Sequence, residues 1–383
     1  MNLVIHDLTA EEFSKIEDNY NGWDVISNDK VIKPCVGCFS CWVKTPGCCI
    51  IKDGYDNLGK LVAQANELVI ISRYTFGGFS SFVKNVIDRS LSLNLPYFEI
   101  KNNEMHHTHR YQNVSQELTV HFYGEGISKD DEEIGIKYVQ ACSINLGSKL
   151  KCVDFNLIKG KSLSVEEKTS RIKSEKTVLL NCSFKGSNSN SRTFLELMKS
   201  AMKSDSELVN AFEYVNRQEE LVDLLKASDK VVLSMPLYYD GVPSHIVKLL
   251  ELLYCKDNGG KKRIYVITNS GFYESKQSCN LLAIMQTWAK KTGYKYNGGL
   301  AIGAGEMLGL LKRRGMPSKG PVKTLDEQLA KMATAVDNGD SFDDIYVQPY
   351  RFPRFMYMSS GNKMWLQRAK ANGITKKDIL KRP

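Results

Sequence analysis

The sequence predicts an α/β chain: two doubly wound parallel sheets in tandem, each of five strands, followed by a helical tail. Three observations lead there. Apolar strand-like runs alternate with amphipathic helical patterns through residues 176–305, and the alternation repeats more loosely through residues 1–155. A polar Lys/Ser/Glu-rich stretch, 156–175, separates the two and reads as a surface linker, leaving 306–383 as a helical basic extension. Strands that alternate with helices imply βαβ crossovers and a sheet covered on both faces.

In the second half the expected order is strand Thr177–Ser183, helix Ser189–Lys203, strand Glu207–Tyr214, helix Gln218–Ser228 and strand Lys230–Met235. Helix Ser244–Tyr254, strand Arg263–Asn269, helix Gln277–Lys291 and a last strand, Gly299–Ile302, complete it. Five strands in a unit of this length match the flavodoxin-like fold, whose ligand lies at the carboxyl ends of the strands around the switch point. The first half reads as strand Leu3–His6, helix Thr9–Glu17 opened by a Thr9…Glu12 capping box, helix Asp56–Asn66, strand Leu68–Ser72 and helix Ser80–Leu91. Strand Glu117–Phe122, helix Asp130–Leu146 and strand Lys149–Phe155 follow, and the repeated pattern suggests a tandem duplication.

At 383 residues, 42% hydrophobic and 25% charged, the composition is globular and excludes disorder, collagen-like repeats and a coiled coil. No apolar run approaches the ~20 residues that span a bilayer. The start, Met1 to Asp7, has no basic n-region, so a soluble cytoplasmic protein is expected. The net charge of +9 is concentrated after Tyr350, where nine basic residues face one acidic residue. Of ten cysteines, five lie between Cys35 and Cys49, a clustering that suggests metal or redox chemistry.

The first strand of the second half runs into Asn181-Cys182-Ser183-Phe184-Lys185-Gly186-Ser187-Asn188-Ser189-Asn190-Ser191, then directly into a helix. Short hydroxyl and amide side chains at a helix amino terminus suit a phosphate dianion. The segment is neither a P-loop nor a GxGxxG fingerprint, so a nucleotide fold with this cradle points to FMN; the alternative is a loop that merely caps its helix. Met235-Pro236-Leu237-Tyr238-Tyr239-Asp240-Gly241-Val242-Pro243-Ser244 and Asn269-Ser270-Gly271-Phe272-Tyr273-Glu274 follow the next two strands and would wall a flat ring. Gly303-Ala304-Gly305-Glu306-Met307-Leu308-Gly309 superficially evokes a dinucleotide fingerprint. It follows the last strand of its unit and is expected to be a tight loop.

On these residues, 176–305 resembles the NADPH-dependent FMN reductase family of flavodoxin-like proteins. That family's first loop reads close to NGSPKGxNSNT and its second close to PLYxDxxP. The resemblance implies that Ser183, Lys185, Ser189, Asn190 and Ser191 hold the phosphate. It implies too that Pro236, Leu237, Tyr238 and Tyr239, with Asn269, Ser270, Gly271 and Phe272, frame the isoalloxazine. Cys182 and Phe184 depart from a family glycine and proline. No catalytic acid or base is assigned, because the cofactor supplies the redox chemistry.

The first half resembles the same family at Arg73-Tyr74-Thr75-Phe76-Gly77-Gly78-Phe79-Ser80-Ser81, leading to Lys84 and Asp88-Arg89. Its phosphate loop is missing: Asp7, Glu11 and Glu12 put carboxylates where a phosphate would need the helix dipole. Members of the family pair with the flavin near the subunit interface, which implies that this half serves as an internal partner in a pseudo-dimer; homo-oligomerisation stays open. The spacing Cys35-x2-Cys38-x2-Cys41-x6-Cys48 gathers four soft thiols and is similar to the compact cysteine motif of iron–sulfur flavoproteins. Iron–sulfur cluster, zinc site and cysteine-rich turn are the three readings. His106, His107 and His109 fall in an expected long loop, Leu93–Gln116, suited to a metal or, more readily, to a partner or substrate surface.

In the tail, Lys323–Asn338 and Gly361–Ala371 read as helices. Interleaved bases and aromatics there evoke nucleic acid or membrane, but an arm clamped by Phe352, Phe355 and Trp365 is favoured, with neither partner expected. The leading functional expectation is an NAD(P)H-dependent FMN oxidoreductase passing electrons to a small acceptor such as a quinone, a nitro compound or free flavin. Its rivals are an iron–sulfur flavoprotein-like electron carrier between proteins and a flavin-less scaffold.

Overall fold

A computed structural model describes residues 1–111, 115–155, 157–165, 176–257, 260 and 262–383. The chain forms two compact units, Met1–Ser162 with Met358–Pro383, and Leu163–Tyr357. The stretch 306–383 is thus divided between them: residues up to Tyr357 belong with the second unit and the rest with the first. Within the linker, 156 and 166–175 lie outside the described residues. Ile158 is not solvated as a surface linker would be, but packs against Val4, Leu8, Val69, Ile71 and Tyr123.

The first unit contains, in chain order, β1 (Leu3–His6), α1 (Ala10–Ser14), β2 (Asp24–Ile26), α2 (Ser40–Val43), α3 (Leu58–Gln64), β3 (Glu67–Arg73) and α4 (Ser81–Arg89). It continues with β4 (Asn94–Lys101), β5 (Glu104–His109), β6 (Glu117–Tyr123), α5 (Lys129–Leu146) and β7 (Lys149–Asp154). Five parallel strands pair in the order β2-β1-β3-β6-β7. Counted along the sheet's own strands this is 2-1-3-4-5, the flavodoxin-like winding. Apolar runs such as Leu3-Val4-Ile5 and Leu68 to Ile71 are buried throughout, as a sheet covered on both faces requires. The capping box forms: Thr9 accepts the Glu12 N–H, and the Glu12 carboxylate accepts the Thr9 N–H.

The second unit contains β8 (Thr177–Asn181), α6 (Asn190–Ala201), β9 (Ser206–Asn210), α7 (Gln218–Lys226), β10 (Lys230–Pro236), α8 (Ser244–Lys256) and β11 (Arg263–Asn269). It then adds α9 (Cys279–Thr292), β12 (Lys295–Ile302), α10 (Gly305–Arg313), α11 (Lys323–Asn338) and β13 (Ile345–Val347). Helix α12 (Arg354–Lys370) carries the chain back into the first unit, which ends with α13 (Lys376–Ile379). The second sheet has six strands rather than five, ordered β13-β12-β11-β10-β8-β9 and all parallel. Read from the other edge it is again 2-1-3-4-5, extended by β13. Three residues are too few for a periodicity to show, so this edge strand escaped the pattern. Helices α6, α10 and α11 bury Phe194, Leu195, Met198, Leu308, Leu325, Leu329 and Met332 against one face. Each such side chain contributes roughly 1.5–3 kcal/mol by leaving water.

Two further expectations change. The segment Leu93–Gln116 is not one loop: β4 and β5 form an antiparallel hairpin whose turn, Asn102-Asn103, has φ of 49° and 63°. Two left-handed residues are what a tight hairpin demands, and Asn tolerates that region. The glycine-rich segment after β12 is a tight turn only at Gly303-Ala304, and from Gly305 onward it forms α10. There a Cβ on Gly305 would meet Asn269 Cβ at 2.9 Å, and one on Gly309 would meet Asn190 Oδ1 at 2.4 Å. These glycines serve close packing rather than a dinucleotide.

Candidate functional site

The carboxyl ends of β8, β10 and β11 carry the three loops expected to form a ligand site, and hydrogen bonds tie them together. Asn269 Nδ2 donates to Ser191 Oγ at 3.0 Å, and the Leu237 N–H donates to the Asn269 carbonyl at 2.9 Å. In the first loop Asn181 is the organiser: Oδ1 accepts the Ser183 N–H and the Ser189 hydroxyl, each at 3.2 Å, while Nδ2 donates to the Gly186 carbonyl at 3.1 Å. Ser189 is the N-cap of α6, accepting the Arg192 N–H at 3.1 Å.

The residues expected at the phosphate therefore divide. Ser189 caps the helix. The Asn190 side chain accepts from Arg313 at 2.8 Å, and the Ser191 hydroxyl accepts from Asn269 while keeping its own proton to give. Lys185 and Ser187 stand exposed at the mouth. The Asn190 and Ser191 N–H groups open α6 and by position have no intrahelical acceptor. Two backbone donors, a hydroxyl and the positive end of a 12-residue helix are a donor set that fits a phosphate dianion.

The second loop is a tight turn, Tyr238-Tyr239-Asp240-Gly241. Tyr238 and Gly241 exchange N–H to carbonyl bonds of 3.1 and 3.0 Å, and Tyr239 and Asp240 have φ of 40° and 58°. Pro236, Leu237, Tyr238 and Tyr239 are half-buried. The third loop is braced from α12: the Tyr357 hydroxyl donates to the Gly271 carbonyl at 2.6 Å, and Arg354 pairs with Glu274 at 2.8 Å. Gly271 is exposed and Phe272 half-buried, and Ser270 Oγ donates to the Phe272 carbonyl at 3.3 Å. Tyr357 is 7% exposed whereas Phe355 is 72% exposed. The tail is anchored by Tyr357 and Trp365, and Phe355 is not a clamp, because it lies on the side of the helix turned to water.

The second cluster lies in the first unit. Cys35, Cys38, Cys41 and Cys49 line one pocket with Asp88 and Arg89, between the apolar side chains of Val36, Phe39, Ile50, Ile51 and Leu91. Cys49, not Cys48, is the fourth thiol on this pocket. The Cys49 N–H donates to the Asp56 carbonyl at 2.7 Å, which sets the end of the loop. Left-handed Gly37 and Phe39, with φ of 63° and 58°, wind the chain so that Cys38 and Cys41 face the same space. Burial pushes the Cys35 thiol up to about 12, helped by the Asp88 charge and the neighbouring thiols, and pushes Cys41 well above the ordinary thiol value. Four soft donors in an apolar pocket fit a thiolate-bound metal centre. Among the described residues, no three His, Cys, Asp or Glu side chains stand in ligating geometry.

The histidines of β5 are held within the hairpin. The His107 ring lies 4.6 Å from Trp42 and 4.9 Å from Phe98, and burial lowers it to about 3; His106 Nδ1 lies 3.0 Å from Asn145 Oδ1. His106 is buried and His107 and His109 are half-buried, with His107 among aromatic rings, so the three belong to a strand of the hairpin rather than to an exposed loop. Trp42 packs at 5.1 Å on Trp365 of α12.

No family model matches the chain. A stretch of 74 residues, 19% of this chain, is 36% identical to an iron–sulfur flavoprotein of Methanocaldococcus jannaschii. The match covers 37% of that relative's length, well short of the whole protein. Two solved structures are similar over part of the chain. The Trp repressor binding protein of Bacillus subtilis is 13% identical, covering 42% of this chain and 96% of its own, with a TM-score of 0.28. An FMN-dependent NADH-azoreductase of Bacillus anthracis, solved with FMN, is 14% identical, covering 43% and 100%, with a TM-score of 0.31.

Three residues of these sites were not singled out by motif. The cysteine spacing selects Cys48, whereas Cys49 lines the pocket. Arg313 brings a cation to the amino end of α6 from 123 residues away in sequence, donating also to Thr193 Oγ1 at 2.9 Å. His245, near the start of α8, sets its Nε2 2.8 Å from the Cys182 carbonyl, and its ring lies 4.0 Å from that of Phe184, tilted by 39°. Adjacent cysteines are equivalent to any spacing rule, and Arg313 lies outside both loop motifs.

Proposed function

We propose that the chain is an FMN-dependent oxidoreductase that takes a hydride from NAD(P)H and passes electrons to a small acceptor such as a quinone, nitro compound or free flavin. The observation that carries this reading is the joining of three loops at the switch point of the second sheet through Asn269, which binds the first loop at Ser191 and the second at Leu237. Ser183, the Asn190 and Ser191 N–H groups, Lys185 and Arg313 would hold the phosphate. Pro236 to Tyr239 and Asn269 to Phe272 would position the ring and limit water around it. The flavin, when bound, supplies a centre that accepts two electrons and releases them singly or together.

Purification without added flavin followed by acid release should yield at most one FMN per chain, and excess NAD(P)H should bleach its visible bands anaerobically. Colourless protein that takes up no FMN on incubation overturns the reading.

The four-thiol pocket favours a second reading, in which the protein relays electrons between proteins as an iron–sulfur flavoprotein. Cys35, Cys38, Cys41 and Cys49 would then hold the cluster. The relative from M. jannaschii bears that name, which supports this reading. Cys49→Ser should then lose nearly all bound iron while Cys48→Ser retains it, read by iron assay and visible absorption after anaerobic purification. Equal iron in both variants sinks the assignment of Cys49.

A further inference from the structure

Arg89 closes α4 with a fully buried side chain. One terminal nitrogen donates to the Lys33 carbonyl at 2.6 Å and to Asp53 Oδ2 at 2.8 Å. The other donates to Asp53 Oδ1 at 3.0 Å and to the Tyr55 and Ile51 carbonyls at 3.3 and 3.4 Å. Lys33 precedes the first pocket cysteine by two residues, and Ile51 follows the last by two. One guanidinium thus ties both ends of the cysteine loop to the same point. Asp53 completes the tie by accepting the Lys33 and Tyr55 N–H groups at 3.0 and 3.2 Å. One turn earlier on α4, Asn85 donates to the Ile32 carbonyl at 2.7 Å.

The remaining donor of Arg89, its Nε–H, is buried and meets no acceptor among the described residues. Arg89 also lines the pocket with the four cysteines. A buried donor without an acceptor is costly, and a guanidinium cannot shed the proton. The sulfurs of Cys49 and Cys35 share this pocket and lie close enough for their charge to act on Arg89.

We infer that Arg89 is the positioning residue of the cysteine pocket: it holds Cys49 in place opposite Cys35, Cys38 and Cys41, and gives its Nε–H to a sulfur of the bound centre. This rests on the reading of the pocket as a thiolate metal site. Lysine cannot substitute, because a single ammonium has no planar fork to grip Asp53 with two hydrogen bonds while reaching both ends of the loop.

The test uses the full chain, reconstituted anaerobically with ferrous iron and sulfide in one arm and zinc alone in another, then challenged with a chelator. Arg89→Met and Arg89→Lys should each lose metal to the chelator roughly 10- to 100-fold more readily than wild type, the usual effect of removing an outer hydrogen-bond partner. In the iron arm, Arg89→Lys should also lower the reduction potential, since a hydrogen bond to sulfur stabilises the reduced centre. Water entering a loosened loop would also move the potential, so the shift is read on Arg89→Lys whose visible circular dichroism matches wild type. Circular dichroism checks the fold, and if Arg89→Met does not fold, Arg89→Lys decides. Folded Arg89→Lys with wild-type chelator resistance and potential overturns the role of Arg89. Wild type that binds metal in neither arm overturns the metal reading itself, and this role with it.

Discussion

The two sheets share a strand order and differ at the place where an anion would bind. After β1 the chain turns through Asp7, whose carboxylate accepts the Arg73 N–H at 3.0 Å and the Tyr123 hydroxyl at 2.9 Å. Glu12 fills the amino end of α1 by accepting the Thr9 and Lys161 N–H groups, each at 2.8 Å. A Cβ on Gly160 would lie 2.5 Å from the Tyr123 ring, so this stretch lies close over the strand ends. After β8, by contrast, the chain offers serines and asparagines and leaves the first N–H groups of α6 open. Yet the second loops match: Thr75-Phe76-Gly77-Gly78 makes the same two-bond turn as Tyr238-Tyr239-Asp240-Gly241, with Phe76 left-handed where Tyr239 is. One frame thus has its helix amino end satisfied by its own carboxylates, and the other leaves the corresponding N–H groups where the proposed phosphate would sit.

The largest effect should come from reversing charge at the open end. Lys185→Glu with Ser187→Glu alters two exposed side chains and should cost about 3 kcal/mol or more against a phosphate dianion. That is roughly a hundredfold or greater loss of FMN affinity by fluorescence titration. Glu11→Lys in the first unit should leave FMN affinity and stoichiometry unchanged. If the two changes act alike, the contrast between the ends is false.

Next in size is removal of the internal anion. Asp7→Ala strands the Arg73 N–H and the Tyr123 hydroxyl, at roughly 1–3 kcal/mol for each buried group left without a partner. Denaturant unfolding should show the loss, and Asp7→Asn, which keeps an acceptor, should recover much of it. Arg313→Met should weaken FMN by about three- to tenfold, more at low salt than at high, because one partly hydrated charge contributes about 1 kcal/mol. Unchanged affinity at low salt would remove Arg313 from the site.

The smallest effect is in pH dependence. Burial raises the Asp7 carboxyl above its ordinary value, although Ser80, Arg73 and Tyr123 act in the opposite sense. A carboxyl raised in the folded state adds stability below its unfolded value, and that contribution is lost as pH rises through the folded value. Asp7→Asn lacks this term, so its melting temperature relative to wild type should improve as pH rises from the ordinary carboxyl range, about pH 4, towards neutrality. A flat difference would mean that Asp7 is not the titrating group.

Much of this frame was legible locally. Leu3–His6, Arg263–Asn269 and Lys323–Asn338 form where apolar period and capping residues place them, and the Thr9…Glu12 box closes as its spacing predicts. The hairpin of β4 and β5 was legible only in its Asn102-Asn103 turn, because its strands bury aromatic and polar residues without clean alternation. β13 is held by pairing with β12, not by its own three residues.

By itself the sequence determined the α/β alternation, the five-cysteine cluster and the contrast between an acidic and a Ser/Asn-rich loop. These are written in short-range pattern, where period, cap and charge act within a few residues. Only the tertiary structure decided that Cys49 rather than Cys48 faces the pocket, that Asn190 turns to Arg313, and that Arg89 grips both ends of the cysteine loop. Each of those outcomes depends on a partner distant in sequence. Which of two adjacent side chains faces the pocket is set by distant partners, such as the Asp56 carbonyl that takes the Cys49 N–H, and spacing along the chain carries no record of them.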